Sequence, residues 1–324
     1  MFRVFFVPEF ESKKEAVAYD IRGNTEQGCF MKYISVFRNT AIRKIIPAVI
    51  MIPVLSGCMV QPQEIEIRDT YVVSHAFSSA AQNERIRFLV LHYTAQDDEM
   101  SLKTLTGEYV SAHYLVPSEP ILRGGKPLVL QLVDENKRAW HAGVSNWNGR
   151  ANINDSSVGI EIVNSGYTGA ETEQRVWQPY SKKQIAAVKA LAKDIIERYQ
   201  ITPDNVIGHS DVAPLRKQDP GVLFPWQELA EAGIGAWPEP EQVARYLGGR
   251  KPDEPADVKM VQSLLKQYGY DRIPQTGIMD EATQKTIHAF QMHFRPGNIS
   301  GEADAETEAI AAVLVNQYRR PQEK

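Results

Sequence analysis

The feature that most constrains the fold is a nearly uninterrupted apolar segment at residues 85–92, with the sequence RIRFLVLH. A strand with apolar side chains on both faces must be covered on both faces, so we predict a central strand of a sheet flanked by helices. His92 lies at the carboxyl end of this strand, where α/β folds tend to place chemical groups. The segment therefore predicts an α/β domain and one candidate site residue.

A second strand is predicted at residues 157–164, where apolar and other side chains alternate. Val158, Ile160 and Ile162 share one face of this strand. Glu161 lies on the opposite face, which need not belong to the core. The pattern therefore holds a carboxylate at a defined position of the sheet.

A helix is predicted to begin after Ser181, because Ser181 and Gln184 have the spacing of a capping box. Apolar residues then recur at helical spacing, at Ile185, Val188, Ala192, Ile195 and Tyr199. After the helix, residues 205–208 predict a short strand that delivers His209 onto a loop. Strands that alternate with helices are typical of α/β domains, and we predict a mixed central β-sheet over residues 70–237.

Beyond this domain, residues 238–255 are rich in proline, glycine and acidic residues, which is typical of a linker. Three stripes of apolar residues at helical spacing follow. They consist of Val258, Val261, Leu264, Leu265 and Tyr268, of Ile287, Phe290 and Phe294, and of Ile310, Leu314 and Tyr318. We predict a small all-α domain of three helices at 256–324, near the lower size at which one core suffices.

The N-terminal region has the three parts of a secretory signal, starting at Met31. Basic residues precede an apolar stretch at 45–55, which ends in the tetrapeptide LSGC at Cys58. The stretch is too short to span a bilayer and contains two prolines, so we do not expect an anchor helix. The tetrapeptide resembles the bacterial lipobox, whose cysteine is lipidated after cleavage. We therefore predict a signal peptide at 31–57 and a tether at 58–69.

Residues 1–30 contain aromatic and polar runs that do not belong before a signal, and we interpret them as an upstream extension. Cleavage at Cys58 would discard Cys29, which leaves one acylated cysteine and no disulfide. Several acyl chains together anchor a protein durably. Because residue 59 is Met rather than Asp, the likeness to other bacterial lipoproteins implies the outer membrane, with the protein facing the periplasm.

The length and charge of the chain limit the number of domains and the kinds of partner. A chain of 324 residues predicts roughly two domains. A net charge of -4 and a pI near 6.0 give no overall electrostatic case for nucleic acid as a partner. We expect a monomer whose neighbour is the cell wall.

Two histidines and one aspartate, His92, His209 and Asp219, are the candidate ligands of an open zinc site. A structural zinc site normally has four ligands and favours cysteine, and neither of the two cysteines is near these residues. Two neutral imidazoles and one carboxylate leave a position for water and keep a net positive charge. Zn²⁺ in such a site lowers the pKa of water to about 7 and polarises a carbonyl, which suits hydrolysis of amides or esters.

Two further residues complete the predicted chemistry. Glu161 is the carboxylate best placed by its strand position to act as a base for the attacking water. Lys217 lies two residues before Asp219, so in an extended segment its ammonium could stabilise an oxyanion. Each residue also has an ordinary explanation, such as a hydrogen-bonded histidine at a strand end. Only the short spacing from His209 to Asp219 is suggestive by itself.

Several segments, in matching order, resemble the zinc N-acetylmuramoyl-L-alanine amidases, whose fold is shared with phage lysozyme-amidases and animal peptidoglycan-recognition proteins. They are residues 89–95 (LVLHYTA), 111–116 (SAHYLV), 140–143 (WHAG), 159–164 (GIEIVN), and 208–214 with 217–221 (GHSDVAP and KQDPG). The resemblance covers residues 70 to 237. It implies hydrolysis of the amide that joins the lactyl group of N-acetylmuramic acid, or of its anhydro form, to L-alanine of the stem peptide.

Carried over by motif position, the resemblance implies that His92, His209 and Asp219 bind Zn²⁺, that Glu161 is the catalytic carboxylate and that Lys217 assists. The phage enzymes place Cys where this chain has Asp219, and non-catalytic recognition proteins lose that ligand. Asp219 keeps the ligand set intact and favours activity over mere binding.

Three more residues fall in family motifs. His141 beside Trp140 could shape the groove for sugar and peptide, since aromatic faces suit sugar rings, or the two could form a packed structural pair. We interpret His113 as structural. The remaining histidines, His75, His288 and His293, are given no role.

In the C-terminal part, residues 276–283 (TGIMDEAT) leading to 289–291 (AFQ) resemble the helical peptidoglycan-binding domain of many wall hydrolases. A second wall-binding module would raise the local concentration at the substrate. A purely structural bundle remains the alternative for this part of the chain.

The predicted function is that of an outer-membrane lipoprotein amidase whose partners are peptidoglycan and muropeptides. One alternative is a lipoprotein that binds peptidoglycan without cutting it. The other is a zinc peptidase that acts within the stem peptide. The two enzymes differ in the new amino terminus, which is L-alanine for the amidase and an internal residue for the peptidase.

Overall fold

The computed structural model describes residues 65–169 and 175–319. The predicted extension at 1–30, the signal peptide at 31–57 and the lipidation at Cys58 lie outside the described residues. Among the described helices, none is long and apolar enough to cross a bilayer.

Within these ranges the chain forms thirteen strands and eight α-helices. The strands are β1 Ile65–Ile67, β2 Val72–Ser74, β3 Phe88–Tyr93, β4 Tyr114–Val116, β5 Leu122–Arg123, β6 Lys126–Pro127, β7 Leu130–Gln131, β8 Asn146–Trp147, β9 Arg150–Ala151, β10 Ser157–Ile162, β11 Tyr167–Thr168, β12 Val176–Trp177 and β13 Val206–Gly208. The helices are α1 Asp98–Leu105, α2 Lys182–Tyr199, α3 His209–Val212, α4 Trp226–Glu231, α5 Pro240–Leu247, α6 Val258–Tyr268, α7 Glu281–Phe294 and α8 Ala305–Tyr318.

The described residues up to Phe77 form one compact unit, and those from Ser78 onward form another. In the first unit, β1 and β2 pair as an antiparallel hairpin in which Ile65 lies opposite Ser74. The tether predicted at 58–69 therefore includes a hydrogen-bonded strand.

In the second unit, a five-stranded sheet has the order β13-β3-β10-β4-β7. The first four strands are parallel, and the edge strand β7 is antiparallel. The mixed central sheet flanked by helices is thus confirmed. Strand β3 lies between two parallel neighbours, which accounts for the apolar run that predicted a central strand.

The two faces of β3 belong to two different apolar clusters because alternate side chains point to opposite sides. Leu89 and Leu91 join a cluster that includes Val188 and Ile195 of α2. Phe88 and Val90 join the other cluster, which contains the apolar faces of the C-terminal helices. His92 has the parity of Phe88 and Val90, so its side chain points to the face that the C-terminal helices cover.

Helix α2 begins with the predicted capping box. Ser181 Oγ accepts a hydrogen bond from Gln184 N at 3.2 Å, and Gln184 Oε1 accepts one from Ser181 N at 3.1 Å. The strand predicted at 157–164 ends two residues earlier, at Ile162.

The prediction that His209 lies on a loop is wrong, because His209 begins the short helix α3. Asp211 Oδ2 accepts a hydrogen bond from Gly208 N at 2.7 Å, which satisfies the backbone where the turn starts. The linker predicted at 238–255 is also wrong in part, since it contains α5. Proline at the first helical position and a left-handed glycine after the end are helix boundary signals as well as linker signals.

Helices α6, α7 and α8 follow the three predicted stripes, but they do not form a separate core. Val261, Leu265 and Phe290 belong to the same buried cluster as Val90 of the sheet and Trp147 of β8. The expectation that a bundle of this size stands on one small core of its own is therefore wrong.

Trp147 connects the helical part most directly to the rest of the second unit. Its ring is fully buried and lies edge-on to Tyr268 and Tyr270, with ring centroids 5.8 and 4.9 Å away. A Cβ atom on Gly269 would lie 2.8 Å from this ring, so the close approach requires glycine at that position.

Candidate metal centre

The sheet brings two of the predicted residues side by side. In the parallel register of β3 and β10, His92 lies opposite Glu161, so both side chains leave the same face. Strand β13 pairs with the other edge of β3, and Gly208 lies opposite Leu91. His209, the next residue, is therefore delivered beside His92.

Asp219 reaches the same place through the segment that follows α3. Ser210 N donates a hydrogen bond to the carbonyl oxygen of Asp219 at 2.9 Å, which ties this segment to the helix that begins with His209. Tyr180 donates a hydrogen bond to the carbonyl oxygen of the following residue, Pro220, at 2.7 Å.

Three donor atoms converge at this site. His92 Nδ1 lies 3.0 Å from His209 Nδ1 and 2.9 Å from Asp219 Oδ2, and His209 Nδ1 lies 3.0 Å from the same oxygen. All three side chains are buried. The structure thus brings together the three residues that the sequence predicted as ligands.

Hydrogen bonds define which ring nitrogen of His92 carries a proton. Ser157 Oγ donates to the carbonyl oxygen of Ile153 at 2.8 Å, so it accepts from His141 Nε2 at 3.1 Å. The other nitrogen of neutral His141, Nδ1, is then an acceptor and receives the Nε2 proton of His92 at 3.0 Å. His92 Nδ1 is left with a lone pair directed at the site.

Burial, together with the nearby His209, lowers the pKa of His92 to about 4, so its ring is neutral at physiological pH. Burial, together with the nearby His92, also holds the pKa of His141 well below its ordinary value. These directions agree with the tautomers that the hydrogen bonds require.

The tautomer of His209 follows in the same way. Its Nε2 lies 3.1 Å from the carbonyl oxygen of Ala142, which can only accept, and 3.4 Å from Arg216 Nη2, which can only donate; the shorter contact assigns the proton to Nε2. Two imidazole lone pairs and one carboxylate oxygen therefore face one another. Such an arrangement is repulsive unless a cation lies among the atoms, and nitrogen and oxygen donors of this kind suit Zn²⁺ among other divalent ions.

Glu161 lies beside these donors. Its Oε1 is 4.0 Å from His92 Nδ1, and its buried Oε2 has no hydrogen-bond partner within the described residues. Burial and the nearby charge of Asp219 raise the pKa of Glu161 well above its ordinary value, although the Lys217 ammonium opposes this shift. Glu161 therefore has a free oxygen and a strong affinity for a proton.

A cavity of about 640 Å³ opens onto the site and is lined by Glu161, His209, Lys217 and Asp219. Lys217 follows α3 in a turn, where its backbone N–H donates to the carbonyl oxygen of Ala213 at 3.1 Å. The structure thus places Lys217 in the same cavity as the predicted ligands and base.

The two residues predicted to contact substrate lie at different depths. Trp140 is 52% exposed on the cavity wall, and the guanidinium of Arg138 lies 4.0 Å from its ring centroid. His141 is buried, and both of its ring nitrogens are hydrogen-bonded to protein groups. His141 also lines the cavity, and its Nδ1 orients His92.

His113 is buried next to the hydrogen-bonded relay formed by Ser157, His141 and His92. Its Nδ1 accepts a hydrogen bond from Gly159 N at 3.0 Å, and its Nε2 donates to the carbonyl oxygen of Lys137 at 3.2 Å. Both hydrogen bonds go to the backbone and hold β10 in place.

A buried network that the sequence did not predict connects α3 to the C-terminal helices. Tyr270 donates to Asp211 Oδ1 at 2.6 Å, and His293 Nδ1 donates to Asp211 Oδ2 at 2.7 Å. Asp211 lies two residues after His209, so the helical part helps to hold a predicted ligand. Asp211 stands in a family motif, but nothing in the sequence associates it with Tyr270 or His293.

One wall of the cavity was also not predicted from the sequence. Arg175 and Gln218 line it from the catalytic part, and Lys285, His288 and Met292 line it from α7. The spacing of the last three places them on one face of a helix, but the sequence does not show what that face meets.

The fold and the site together define an α/β hydrolase in which three residues could hold a metal ion. Residues 82–222 match the family described as N-acetylmuramoyl-L-alanine amidase, and residues 254–310 match a peptidoglycan binding domain. The chain belongs to the N-acetylmuramoyl-L-alanine amidase family, and the resemblance and enzyme class inferred from the sequence are confirmed.

Two curated relatives illustrate the match. The N-acetylmuramoyl-L-alanine amidase AmiD of Escherichia coli is 47% identical over 264 residues, which cover 82% of this chain and 94% of that protein. The 1,6-anhydro-N-acetylmuramyl-L-alanine amidase AmpD of Enterobacter cloacae is 40% identical over 118 residues, covering 36% of this chain and 57% of that protein.

Two solved structures are similar over most of the chain. The complex of E. coli AmiD with the substrate anhydro-N-acetylmuramic acid-L-Ala-D-γ-Glu-L-Lys has a TM-score of 0.76 and 47% identity, and covers 80% of this chain and 100% of that one. AmpDh3 of Pseudomonas aeruginosa with anhydromuramic pentapeptide has a TM-score of 0.68 and 42% identity, and covers 79% and 99%.

Proposed function

We propose that this protein is a zinc hydrolase that cleaves the amide between N-acetylmuramic acid, in its anhydro or intact form, and L-alanine of the stem peptide. The observation that carries the proposal is the convergence of two imidazole lone pairs and one carboxylate beside the unpaired oxygen of Glu161. The substrate named for the E. coli AmiD complex contains this amide.

His92, His209 and Asp219 would hold the Zn²⁺, because three protein donors of this type leave a position open for chemistry. When bound, zinc polarises a carbonyl and lowers the pKa of a coordinated water to about 7. His141 and Ala142 keep the two imidazoles in the tautomers that this binding requires.

Glu161 accepts the proton of the attacking water at its free carboxylate oxygen. Its raised affinity for protons lets it keep that proton until the C–N bond breaks, and then pass it to the alanine nitrogen. The products are a lactyl carboxylate and a stem peptide with a free amino terminus. Lys217 contributes a positive charge that stabilises the oxygen on which negative charge develops.

The remaining predictions belong to the same proposal. Lipidation at Cys58 anchors the protein to the outer membrane, where it faces the periplasm as a monomer, and the helical part adds affinity for the wall. Trp140 offers an exposed aromatic face to the substrate in the cavity. These assignments are supported by the signal pattern, by the peptidoglycan binding match and by the position of the ring.

The test is digestion of purified muropeptides by the soluble protein, with mass analysis of the products and zinc analysis of the protein. We expect a peptide with L-alanine at its amino terminus. Asp219→Ala should lose both turnover and zinc. Glu161→Ala should lose turnover by about 100-fold or more and keep its zinc, because Glu161 holds a proton rather than the metal.

Each alternative predicts a different result. A peptide that begins at an internal residue would identify a peptidase, and binding without any release of peptide would identify a recognition lipoprotein. Full turnover in Glu161→Ala would refute the assignment of Glu161 as the base.

A further inference from the structure

Helix α7 has one face that packs in the core and another that lines the cavity. Ile287 and Phe290 lie in the buried core that the helices share with the sheet. Lys285, His288 and Met292, spaced three and four residues apart, line the catalytic cavity. The helical domain therefore forms part of the wall around the reacting centre.

Packing holds this wall in a defined position. Met292 belongs to a buried cluster with Val222, three residues after Asp219, and Trp177 packs against that cluster. His293 donates its hydrogen bond to Asp211 from the same turn of α7. The distance between the helix and the metal centre is thus set by buried contacts.

Arg175 lies on the catalytic side of the same cavity and is held in place by neutral groups. Its Nη1 donates to Gln218 Oε1 at 2.7 Å, and its guanidinium carbon lies 4.5 Å from the ring centroid of Tyr167. No carboxylate of the described ranges lies within ion-pair distance of it. An arginine has five N–H donors, so this one keeps donors for a ligand.

The lining of the cavity has more positive than negative groups. The cations are Arg175, Arg216, Lys217 and Lys285, and the carboxylates are Glu161 and Asp219. The Asp219 carboxylate faces two histidines. Lys285 pairs with Glu281 at 2.7 Å, but Lys285 is 49% exposed and Glu281 80% exposed, so this pair contributes little stability and can be exchanged.

The substrate of the proposed function carries a matching charge. In the compound named for the E. coli AmiD complex, glutamate is joined to the next residue through its γ-carboxyl group. This linkage leaves the α-carboxylate free and negative, one residue beyond the L-alanine of the scissile amide. The planar fork of an arginine is the side-chain group that best fits a carboxylate, because it can form two parallel hydrogen bonds.

We propose that Arg175 binds the free α-carboxylate of the γ-linked glutamyl residue of the stem peptide, and that Lys285 adds a second cation from the helical domain. The inference rests on the proposed function and adds a specificity site to it. The helical domain then takes part in recognition of the peptide next to the cleaved bond.

The test compares two muropeptides that differ in one group, the α-carboxylate of the γ-linked glutamyl residue or the corresponding carboxamide. We expect Arg175→Gln to lower kcat/KM for the carboxylate substrate by about 10- to 100-fold, as for loss of a charged hydrogen bond, and to leave the carboxamide substrate nearly unchanged. Arg175→Lys should recover part of the loss, because it restores the charge without the fork.

Lys285→Gln should show the same selectivity with a smaller effect, about 2- to 5-fold, because its charge is more exposed. The matched control is Arg123→Gln, which removes an exposed arginine of β5 outside the cavity and should behave as wild type with both substrates. Zinc content should equal that of wild type in all four variants.

Binding is measured separately from turnover. The dissociation constants of both muropeptides are determined on Glu161→Gln protein, with and without Arg175→Gln. We expect Arg175→Gln to weaken binding of the carboxylate compound by at least tenfold and to change binding of the carboxamide compound little.

The outcomes separate the two proposals. If Arg175→Gln weakened binding and turnover of the two compounds equally, or of neither, the role of Arg175 would be overturned even if the wild-type enzyme is active. Wild-type protein that binds the muropeptides and cleaves neither would overturn the proposed function, while the binding measurements would still decide the carboxylate site.

Discussion

At the scale of single residues, the site depends on a relay of hydrogen bonds that ends in the backbone. The carbonyl oxygen of Ile153 orients the Ser157 hydroxyl, which orients His141, which orients His92. Groups behind a metal ligand commonly decide its tautomer and its basicity. Ser157, two hydrogen bonds away from the candidate ligand His92, should therefore affect metal affinity.

Ser157→Ala is expected to lower zinc affinity by about tenfold, because the Nε2 proton of His141 loses its acceptor and the relay loses its direction. Competition with a chelator of known affinity measures the effect. Ser156→Ala is the matched control, since this neighbouring serine is also buried but its side chain is not part of the relay. Equal zinc affinity in wild type and Ser157→Ala would contradict the relay.

At the scale of elements, close packing between β10 and the 140–143 segment keeps the relay in register. A Cβ atom on Gly159 would lie 2.5 Å from the ring of His141. Ring and strand cannot both keep their positions if a methyl group is inserted there.

Gly159→Ala is expected to destabilise the protein by about 1–3 kcal/mol through this overpacking. Urea unfolding measures the change. Gly297→Ala is the control, because a Cβ atom there meets nothing within 4 Å and should change stability by less than about 0.5 kcal/mol. A stable Gly159→Ala protein with wild-type zinc affinity would show that the site tolerates a shift of the ring.

A second contact between elements predicts a pH dependence. Glu135 accepts hydrogen bonds from Arg198 and Tyr199 of α2 and from Tyr114 of β4. Burial alone would raise the pKa of Glu135, but these hydrogen bonds outweigh burial and lower the pKa from 4.5 to about 2. A lowered pKa stabilises the fold fully above the ordinary value, and this stabilisation is lost as the pH falls toward 2.

Glu135→Gln should therefore lower the free energy of unfolding at pH 7 by about 1 kcal/mol, a modest value because the ion pair is partly exposed. The difference from wild type should shrink as the pH falls below about 4.5. Urea unfolding at several pH values tests this, and a difference that stays constant down to pH 3 would exclude Glu135 as its source.

At the scale of the whole molecule, the helical domain packs against the catalytic domain through shared buried contacts. The two share a buried cluster, the Trp147 ring lies edge-on to Tyr268 and Tyr270, and Arg319 pairs with Asp204 at 2.5 Å. Shared buried contacts couple the unfolding of the parts that make them. Residues 78–319 should accordingly unfold as one cooperative unit.

Leu265→Ala tests this coupling from inside the helical domain. Loss of a fully buried leucine is expected to cost about 2–5 kcal/mol, and helix content and zinc should be lost together at a lower urea concentration. Met260→Ala, at a position 48% exposed on the same helix, should differ little from wild type. Two separate transitions, with zinc loss unaffected by Leu265→Ala, would mean that the domains unfold independently.

Much of the site could be predicted because its residues lie at the ends of recognisable strands. The apolar run before His92 and the alternation around Glu161 specify a sheet, and parallel register then brings these two side chains together. The helix that begins with His209 and the helix inside the predicted linker could not be predicted, since short helices depend on contacts from elsewhere in the fold.

By itself, the sequence determined the α/β class and the three helical stripes, because these follow from local periodicity, while the candidate metal ligands came from the resemblance to the amidase family. Only the tertiary structure decided the tautomer of His92, the buried contacts of Asp211 and the wall that α7 contributes to the cavity. These features depend on contacts between groups that are distant in sequence, and such contacts form only when the sheet and the helices share one core. Local sequence patterns therefore do not predict them.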